Sequence, residues 1–176
     1  MFLSYLIQDF SANRDNIKGR IVLFLFRLGQ VIYRNRVTRI IFFPYLIFYR
    51  LMIEWFLGME IPWKIEAGKG LRVYHGQALV INPGTVIGAN CTLRQSTTIG
   101  NKQSANGAFG EGKSPVIGNN VDVGSNVCII GDIIVGNNVV IGAGTIVVKD
   151  VPDDSVIVGN PARIVRPRTD KLDQSI

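Results

Sequence analysis

The residue best suited to catalysis in this sequence is His75, the only histidine among its 176 residues. A neutral imidazole accepts a proton from a hydroxyl group near neutral pH, so His75 is a candidate general base. Such a base needs an acceptor for its second ring nitrogen, and Glu60 and Glu66 are the nearest upstream carboxylates. A lone histidine more often has a structural role or is merely solvated, so the surrounding pattern must decide between these interpretations.

Metal and thiol chemistry are not expected. One histidine without clustered cysteine or aspartate offers too few ligands for a metal site. Cys91 and Cys128 lie neither in a Cys-x-x-Cys motif nor beside the histidine. We interpret both as small structural residues of a protein in a reducing compartment.

Two further features of the sequence involve basic side chains. Gly107–Ser114 matches the phosphate-loop pattern G-x-x-x-x-G-K-S, but Pro115 and the apolar pair Val116-Ile117 follow where that motif requires a helix, so nucleotide binding is disfavoured. Lys149 and Arg163 lie near the carboxyl end. They are either solvated side chains or a cationic rim for a phosphate-bearing ligand.

A six-residue apolar period dominates the stretch from Ile81 to Pro152. It fits neither a helix nor a single strand, but it is typical of a chain that turns a corner every six residues and stacks into a parallel β-helix. Glycine often follows the apolar residue, and we expect Gly and Asn to occupy tight corners where φ is positive. The apolar positions are Ile81, Ile87, Leu93, Ile99, Ile117, Val123, Ile129, Val135, Ile141 and Val147.

The period is interrupted twice. The register slips at Val73–Ala78, so His75 lies where a side chain can leave the regular wall of the solenoid. The polar, glycine-rich segment 101–115 contains no apolar corner residues, and we interpret it as an extruded loop. The predicted organisation is an α-helical arm at 1–57, a β-helix at 58–165 with this loop, and a tail at 166–176.

The arm carries most of the charge. Residues 1–57 hold eight Lys/Arg against three Asp/Glu, whereas the rest of the chain holds eleven against ten. Ile17–Asn35 and Ile40–Leu57 predict two or three helices, with a bend or helix start at Pro44. The arm is interpreted as packing on the solenoid or a neighbouring subunit, with an anionic membrane interface as the second interpretation. Solvated helix faces are another interpretation of its charge, and nucleic acid, which a basic arm can also bind, is not expected as a partner.

These residues together resemble the hexapeptide-repeat acyltransferases, specifically the serine acetyltransferase-like branch. The resemblance covers Ile81–Pro152 and the closing segment Val158–Val165. It is closer to bacterial colanic acid and capsule acetyltransferases, because Leu46–Gly58, Tyr74-His75-Gly76 and Val80–Asn82 also match that group. The resemblance implies an all-β solenoid, a left-handed parallel β-helix, that forms a homotrimer and binds acetyl-CoA between subunits.

The resemblance also implies roles for individual residues. His75 takes the position of the catalytic base, and Glu60, fifteen residues earlier, takes that of the orienting carboxylate. Residues expected to line the acetyl-CoA groove are Asn101, Ser125, Ala143, Lys149 and Arg163. Residues expected near the acceptor are Tyr74, Arg94, Lys113 and Ser114.

The acceptor residues depart from the serine acetyltransferase pattern. Tyr74 replaces the aspartate before the histidine, and Lys113-Ser114 replaces the Arg-His pair that grips the serine carboxylate. The groups that recognise an amino acid are therefore absent while the base remains. An aromatic residue beside the base suits a sugar ring, so the favoured acceptor is a carbohydrate hydroxyl.

The leading hypothesis is an acetyl-CoA-dependent O-acetyltransferase of a surface polysaccharide or its lipid- or nucleotide-linked precursor. The alternatives are a serine O-acetyltransferase and a non-catalytic β-helix docking module. The amino terminus lacks a secretory signal pattern, so we expect a cytoplasmic protein, peripheral on the inner membrane face if the basic arm binds lipid.

Overall fold

The six-residue period forms three short strands per coil, each followed by a corner. The computed structural model describes residues 2–102 and 112–168. Within them, the helices are α1 (Phe2–Leu6), α2 (Ile17–Arg34), α3 (Arg36–Ile41), α4 (Phe43–Arg50) and a π-helix (Leu51–Phe56). The strands are β1 (Glu66–Ala67), β2 (Arg72–Tyr74), β3 (Val80–Ile81), β4 (Val86–Ile87), β5 (Thr92–Arg94), β6 (Thr98–Gly100), β7 (Val116–Ile117), β8 (Asp122–Val123), β9 (Cys128–Ile130), β10 (Ile134–Val135), β11 (Val140–Ile141), β12 (Ile146–Val147), β13 (Ser155–Val158) and β14 (Arg163–Pro167).

The strands assemble into three sheets that form the sides of a triangular column. Sheet I has the order β1-β4-β7-β10, sheet II the order β2-β5-β8-β11-β13-β14, and sheet III the order β3-β6-β9-β12. The paired strands run parallel except β13 and β14. We call the turn from sheet I to II the first corner, from II to III the second, and from III to I the third. The expected all-β solenoid is confirmed.

The periodic apolar residues form the core. All ten are at most 2% exposed. On sheet III, Ile81, Ile99, Ile129 and Val147 lie directly above one another in register. A fully buried aliphatic side chain contributes roughly 1.5–3 kcal/mol, so this stack is the main source of solenoid stability.

The expectation for the glycines is only partly correct. Positive φ occurs at Asn90, Asn120 and Asn138, which stack at the first corner. The glycines that follow the apolar residues, such as Gly88 and Gly118, are not in that region. They are required because a Cβ on Gly88 would lie 2.5 Å from the backbone of Gly118. Close contact between coils, rather than turn conformation, therefore selects these glycines.

The amino-terminal segment caps the first coil. Lower edges of a solenoid expose unpaired backbone groups, which must find partners. Asp9 accepts from the Leu71 N–H at 2.9 Å, and Asn13 donates to the Leu71 carbonyl at 2.8 Å. Asn16 donates to the Val73 carbonyl at 2.7 Å. Polar side chains of the arm thus replace the missing coil below β2.

Arg27 is the centre of this cap. Its side chain is fully buried and forms an ion pair with Asp9 at 2.8 Å. It also donates to the carbonyls of Ala67 at 2.8 Å and Gly68 at 2.6 Å. Such a buried charge is tolerated because its donors are satisfied by partners. This part of the arm is therefore packed against the solenoid and is not a solvated basic surface.

The helices of the arm share the apolar core of the solenoid. Phe26, Tyr49 and Ile53 are fully buried in the same cluster as the column residues. Pro44 lies in the first turn of α4, in agreement with the predicted helix start. Arg50 and Glu54 form the expected pair one turn apart, at 3.0 Å.

No helix among the described residues is long and apolar enough to cross a bilayer.

Candidate active site

His75 lies in a second corner that is two residues longer than the next one. Arg72 and Val80, which begin β2 and β3, are eight positions apart, whereas Thr92 and Thr98 on the following coil are six apart. The extra residues bulge from the corner. His75 has φ +64° and Gly76 has φ +74°. A left-handed conformation is unfavourable for a histidine by roughly 1–2 kcal/mol, so the surroundings must hold it.

The backbone at His75 is held from the cap. Lys18, in the first turn of α2, donates from Nζ to the His75 carbonyl at 2.8 Å. In the amide orientation that satisfies both of its groups, Gln77 donates to the same carbonyl at 2.6 Å and accepts from Lys18 at 3.0 Å. Sequence reasoning missed Lys18, because no local pattern links the two residues.

A second contact holds the corner from below. A Cβ on Gly76 would lie 2.4 Å from Met59 Sδ, so the bulge sits directly on that buried side chain. Ala78 donates its N–H to the Gly58 carbonyl at 2.7 Å. The backbone of His75 is thus anchored, while its imidazole is exposed and has no hydrogen-bond partner among the described residues. This is a suitable arrangement for a base that must meet a substrate.

Glu60 lies one coil below the strand that follows His75. It pairs with Val80, and its N–H donates to the Leu79 carbonyl at 2.7 Å. Its exposed side chain borders a cavity of about 460 Å³ that Arg50 and Glu54 also line. In the described chain the Glu60 carboxylate and the His75 imidazole form no hydrogen bond, so the orienting role of Glu60 stays a prediction.

Glu66, the other upstream carboxylate, is a less suitable hydrogen-bond partner for His75. Glu66 belongs to β1 and pairs with Val86 on sheet I. Sheet I is the side of the triangle that does not border the second corner. Glu60 is therefore the better candidate partner for His75.

Tyr74 and Arg94 are neighbours on sheet II, beside the second corner. The guanidinium of Arg94 forms an ion pair with Asp122 and donates to the Val123 carbonyl at 2.9 Å. If Arg94 contacts the acceptor substrate, that contact must compete with these two bonds or be made in addition to them. The Tyr74 side chain is half-buried, and it lies at the end of β2 next to the proposed base.

Ser125 and Ala143 continue the second corner above His75. The Gly144 N–H donates to the Ser125 carbonyl at 2.9 Å. A Cβ on Gly124 would lie 2.6 Å from the Ala143 nitrogen, which shows how closely these coils approach. The second corner thus presents small residues and backbone groups along the column axis, as an extended ligand would require.

The third corner holds the two ends of the segment 101–115. Asn82 donates to Asn101 Oδ1 at 3.0 Å and accepts from Ser114 Oγ at 2.8 Å. Asn101 also donates to the Gly112 carbonyl at 3.1 Å. After segment 101–115 the regular coils resume at Val116, which pairs with Val86 on sheet I and begins the next coil. Asn82 joins two predicted site residues, a role that sequence reasoning did not assign to it.

Lys113, beside Ser114, is exposed and lies 3.5 Å from the exposed Asp132. An ion pair this open to water contributes little to stability. Lys113 therefore remains available to a ligand. The remainder of the predicted loop, 103–111, and with it the phosphate-loop match, lies largely outside the described residues.

Lys149 and Arg163 meet at the upper end of the column. Both line a cavity of about 290 Å³, together with Asp150 and Pro161. Asp150 is already engaged, since it accepts from the Ile134 N–H at 2.8 Å. Neither cation forms an ion pair within the described chain, so both are free to meet an anion such as a phosphate.

The predicted residues therefore fall on two opposite edges of sheet III. His75, Ser125 and Ala143 lie at the second corner, whereas Asn101, Ser114 and Lys149 lie at the third. Ala78 and Asn82, on either side of β3, are four residues or roughly 13 Å apart. The outward side chains between these edges are uncharged at Val80, Thr98, Cys128 and Ile146.

Neither cysteine is placed for nucleophilic catalysis. Burial raises the pKa of the Cys91 thiol to about 11, and the thiol donates to the Gly118 carbonyl at 3.1 Å. It is therefore protonated at neutral pH and lies at the first corner. Cys128 lies on β9, two strands from the β3 strand that follows His75. Among the described residues no group of three or more His, Cys, Asp or Glu side chains is arranged to hold a metal ion.

Known proteins are similar to this chain in both sequence and fold. No protein-family model matches the chain. WcaB of Escherichia coli strain K12, which carries the name of a colanic acid biosynthesis acetyltransferase, is 36% identical over 163 residues, covering 90% of this chain and 98% of WcaB. A serine acetyltransferase of Synechocystis sp. is 37% identical over 131 residues, covering 74% of this chain and 50% of that protein.

A solved structure gives the same result. The soybean serine acetyltransferase apoenzyme aligns with a TM-score of 0.78 at 27% identity, covering 93% of this chain and 69% of that one. The similarity therefore includes both the solenoid and the amino-terminal cap. From the identity and coverage shared with WcaB, this chain belongs to the hexapeptide-repeat acetyltransferases.

Proposed function

We propose that this protein transfers an acetyl group from acetyl-CoA to a sugar hydroxyl of a surface polysaccharide or its precursor, with His75 as general base. The observation that carries the proposal is the inserted second corner, which anchors the His75 backbone and leaves the imidazole exposed. Membership of an acetyltransferase family supports the reaction, and the similarity to WcaB supports the acceptor class.

The chemistry follows from the exposed imidazole. His75 accepts the proton as the sugar oxygen bonds to the acetyl carbonyl carbon, and the carbon–sulfur bond then breaks. The imidazolium returns the proton to the departing CoA sulfur. A backbone N–H directed at the carbonyl oxygen would stabilise the negative charge that develops there. The protonated state of Cys91 at the first corner, and the position of Cys128 two coils above that of His75, favour direct transfer without an acetylated protein intermediate.

The residues present fit acetyl-CoA. Lys149 and Arg163 line a cavity and lack carboxylate partners in the described chain, so they suit the phosphates of the nucleotide end. Ser125 and Ala143 offer a narrow wall of small residues for the pantetheine chain. Together these groups would hold the donor parallel to the column axis, with its thioester towards His75.

We infer that the complete site forms between two subunits of a homotrimer. Second-corner and third-corner residues lie on opposite edges of sheet III and do not meet within one chain. If sheet III faces the threefold axis, the second corner of one subunit meets the third corner of the next. The uncharged outer side chains of sheet III support that orientation, since interface cores are depleted in charge.

The acceptor assignment is carried by Tyr74 and by Lys113-Ser114. These positions lack the carboxylate and the Arg-His pair that recognise serine in the enzymes this chain resembles. A serine O-acetyltransferase is the second candidate, because the soybean serine acetyltransferase shares the fold and the Synechocystis one is 37% identical over 131 residues. Comparing initial rates of acetyl transfer to serine and to nucleotide- or lipid-linked sugars decides between them. Turnover of serine alone would contradict the carbohydrate assignment.

Subunit complementation tests the shared site. His75→Ala removes the base at the second corner, and Lys149→Ala with Lys113→Ala removes cations at the third. At an acetyl-CoA concentration near the wild-type KM, each variant alone should have little activity, but unfolding and refolding them together produces some interfaces with two intact edges. Activity should therefore reappear in the mixture. A mixture as inactive as its parents would show that each site belongs to a single chain.

Binding of CoA separates catalysis from a docking role. Titration of the wild-type protein with CoA should release heat with one site per subunit. His75→Ala should bind CoA equally well, since the histidine is not needed for the ground state. Absence of CoA binding to the wild type would favour the non-catalytic docking module.

A further inference from the structure

The surface formed by α3, α4 and the π-helix is strongly apolar on its solvent side. Ten large apolar residues between Val37 and Phe56 have exposed fractions from 46% at Ile47 to 82% at Trp55. We call this surface the outer face of the cap. Isolated exposed apolar residues are normal, but ten of them on three consecutive short helices indicate an interaction surface.

The helices that carry the outer face are apolar on two sides, and only one of these sides packs on the column. The same helices bury Tyr49 and Ile53 in the solenoid core, and Leu46 is also buried. Trp55 and Phe56 lie on the other side, with 82% and 78% exposure. A segment that is apolar on two sides requires a second apolar environment besides its own core.

Basic residues accompany the outer face. Exposed Arg36 lies next to its start and Arg50 lies within it, whereas the Arg34 guanidinium stacks over the Tyr5 ring. The only acidic residue between Arg34 and Phe56 is Glu54, which is already paired with Arg50 at 3.0 Å. Tryptophan and phenylalanine with flanking arginines are the composition that binds the interface of an anionic bilayer.

The lengths of the helices determine how such contact would occur. α3, α4 and the π-helix have six, eight and six residues, each too short to cross a bilayer. They can lie in the headgroup layer with their apolar side chains towards the acyl chains. In a cyclic trimer, three outer faces have the same height along the axis, so one flat surface could engage all three.

A second copy of the chain in a two-fold contact is a less suitable occupant. A two-fold contact would place the outer face against itself and bring the arginines of both copies together. Like charges in such a contact oppose association. An anionic lipid surface instead satisfies the apolar residues and the arginines at once.

We propose that the outer face of the cap docks on an anionic membrane surface. Trp55 and Phe56 enter the headgroup region, and Arg36 contacts lipid phosphates. The proposal goes beyond the acetyl transfer proposed above and does not depend on it, since membrane binding needs no catalysis. If both are correct, the enzyme acts where a lipid-linked acceptor is located.

Cosedimentation of the full chain with vesicles tests the proposal. Wild type should sediment with phosphatidylcholine vesicles that contain phosphatidylglycerol, and much less with phosphatidylcholine alone. Trp55→Ser with Phe56→Ser should reduce binding at least about tenfold, since it removes the two most exposed aromatic anchors. The matched control, Val116→Ser with Ile134→Ser, removes two exposed residues of sheet I and should bind like wild type.

Three results would overturn the proposal. The first is failure of the wild type to bind anionic vesicles, and the second is equal binding by the anchor and control variants. The third comes from light scattering: a loss of subunits from the assembly in Trp55→Ser with Phe56→Ser would make the outer face a protein interface. Acetyl transfer to a water-soluble sugar acceptor is measured on the same samples, so failure of docking and failure of the proposed reaction are distinguished.

Discussion

The two interruptions of the solenoid are held in different ways. The insertion at the second corner adds two residues, and its backbone is bonded to Lys18 and packed on Met59. The insertion at the third corner adds twelve, because Thr98 and Val116 are eighteen positions apart instead of six. Asn82 bonds to residues at both of its ends.

The contrast indicates a division of roles. A general base must be held in one place, and the short insertion has too few residues to move independently of the coil below. The long insertion begins and ends at the third corner and brings the exposed Lys113 to that corner, where it is available to a ligand. We therefore expect substitutions at the second corner to affect turnover, and those at the third to affect binding.

The largest effect is expected for His75→Ala. Loss of a general base lowers kcat by about 10²–10⁴-fold. The side chain is exposed and unbonded, so the melting temperature should change little. Steady-state rates and thermal melting check both statements. Wild-type turnover in this variant would remove the basis for assigning chemistry to the second corner.

Gly76→Ala should disturb the same corner through its backbone. Alanine at φ +74° is strained, and its Cβ would meet buried Met59. We expect a loss of about 1–3 kcal/mol in unfolding free energy, measured by denaturant titration, and a lower kcat.

Gly144→Ala is the matched control for stability. Gly144 lies three coils higher at the same corner with φ +72°, and no atom lies within 4 Å of an added Cβ. Gly144→Ala should therefore lose unfolding free energy through backbone strain alone, without the clash that Met59 causes in Gly76→Ala. Equal losses in the two variants would mean that Met59 does not hold the His75 corner.

Lys18→Met should have a smaller effect, confined to kcat. Removing an exposed charge-assisted hydrogen bond costs about 1 kcal/mol. If this bond positions His75, that cost corresponds to a roughly fivefold lower kcat. The KM for acetyl-CoA should not change, and Lys18→Arg should recover part of the rate. Lys69→Met, at the first corner, is the control. A change in stability with kcat intact would assign Lys18 a purely structural role.

Asn82→Ala should have the smallest effect on kcat and act on the third corner. It removes the bonds to Asn101 and Ser114, each worth about 1 kcal/mol. We expect a several-fold higher KM for acetyl-CoA with kcat nearly unchanged. Initial rates over a range of acetyl-CoA concentrations measure both constants. A fall in kcat alone would contradict the division of roles between the corners.

Periodicity made the solenoid predictable. A repeat of six residues encodes the same local geometry in every coil, and the register of Ile81, Ile99, Ile129 and Val147 follows from it directly. Interruptions of the period were equally visible, so His75 and Asn101 could be singled out. The resemblance to acyltransferases supplied the roles predicted for them, and Glu60 as the partner of His75 is likewise a prediction.

Contacts between distant segments were not predictable in this way. Arg27 appears in the sequence as one of eight basic residues in the arm, and only the structure shows it buried on Asp9 and two carbonyls. Lys18 and His75 are fifty-seven positions apart, and no period relates them.

The sequence by itself determined the column, because stacking identical coils is a local rule repeated many times. It also determined where the column is interrupted, since each interruption breaks that rule visibly. Only the tertiary structure decided how the first coil is capped and how the His75 corner is held. It also decided that the predicted site residues lie on opposite edges of one sheet, since each of these depends on which unrelated segments meet in space.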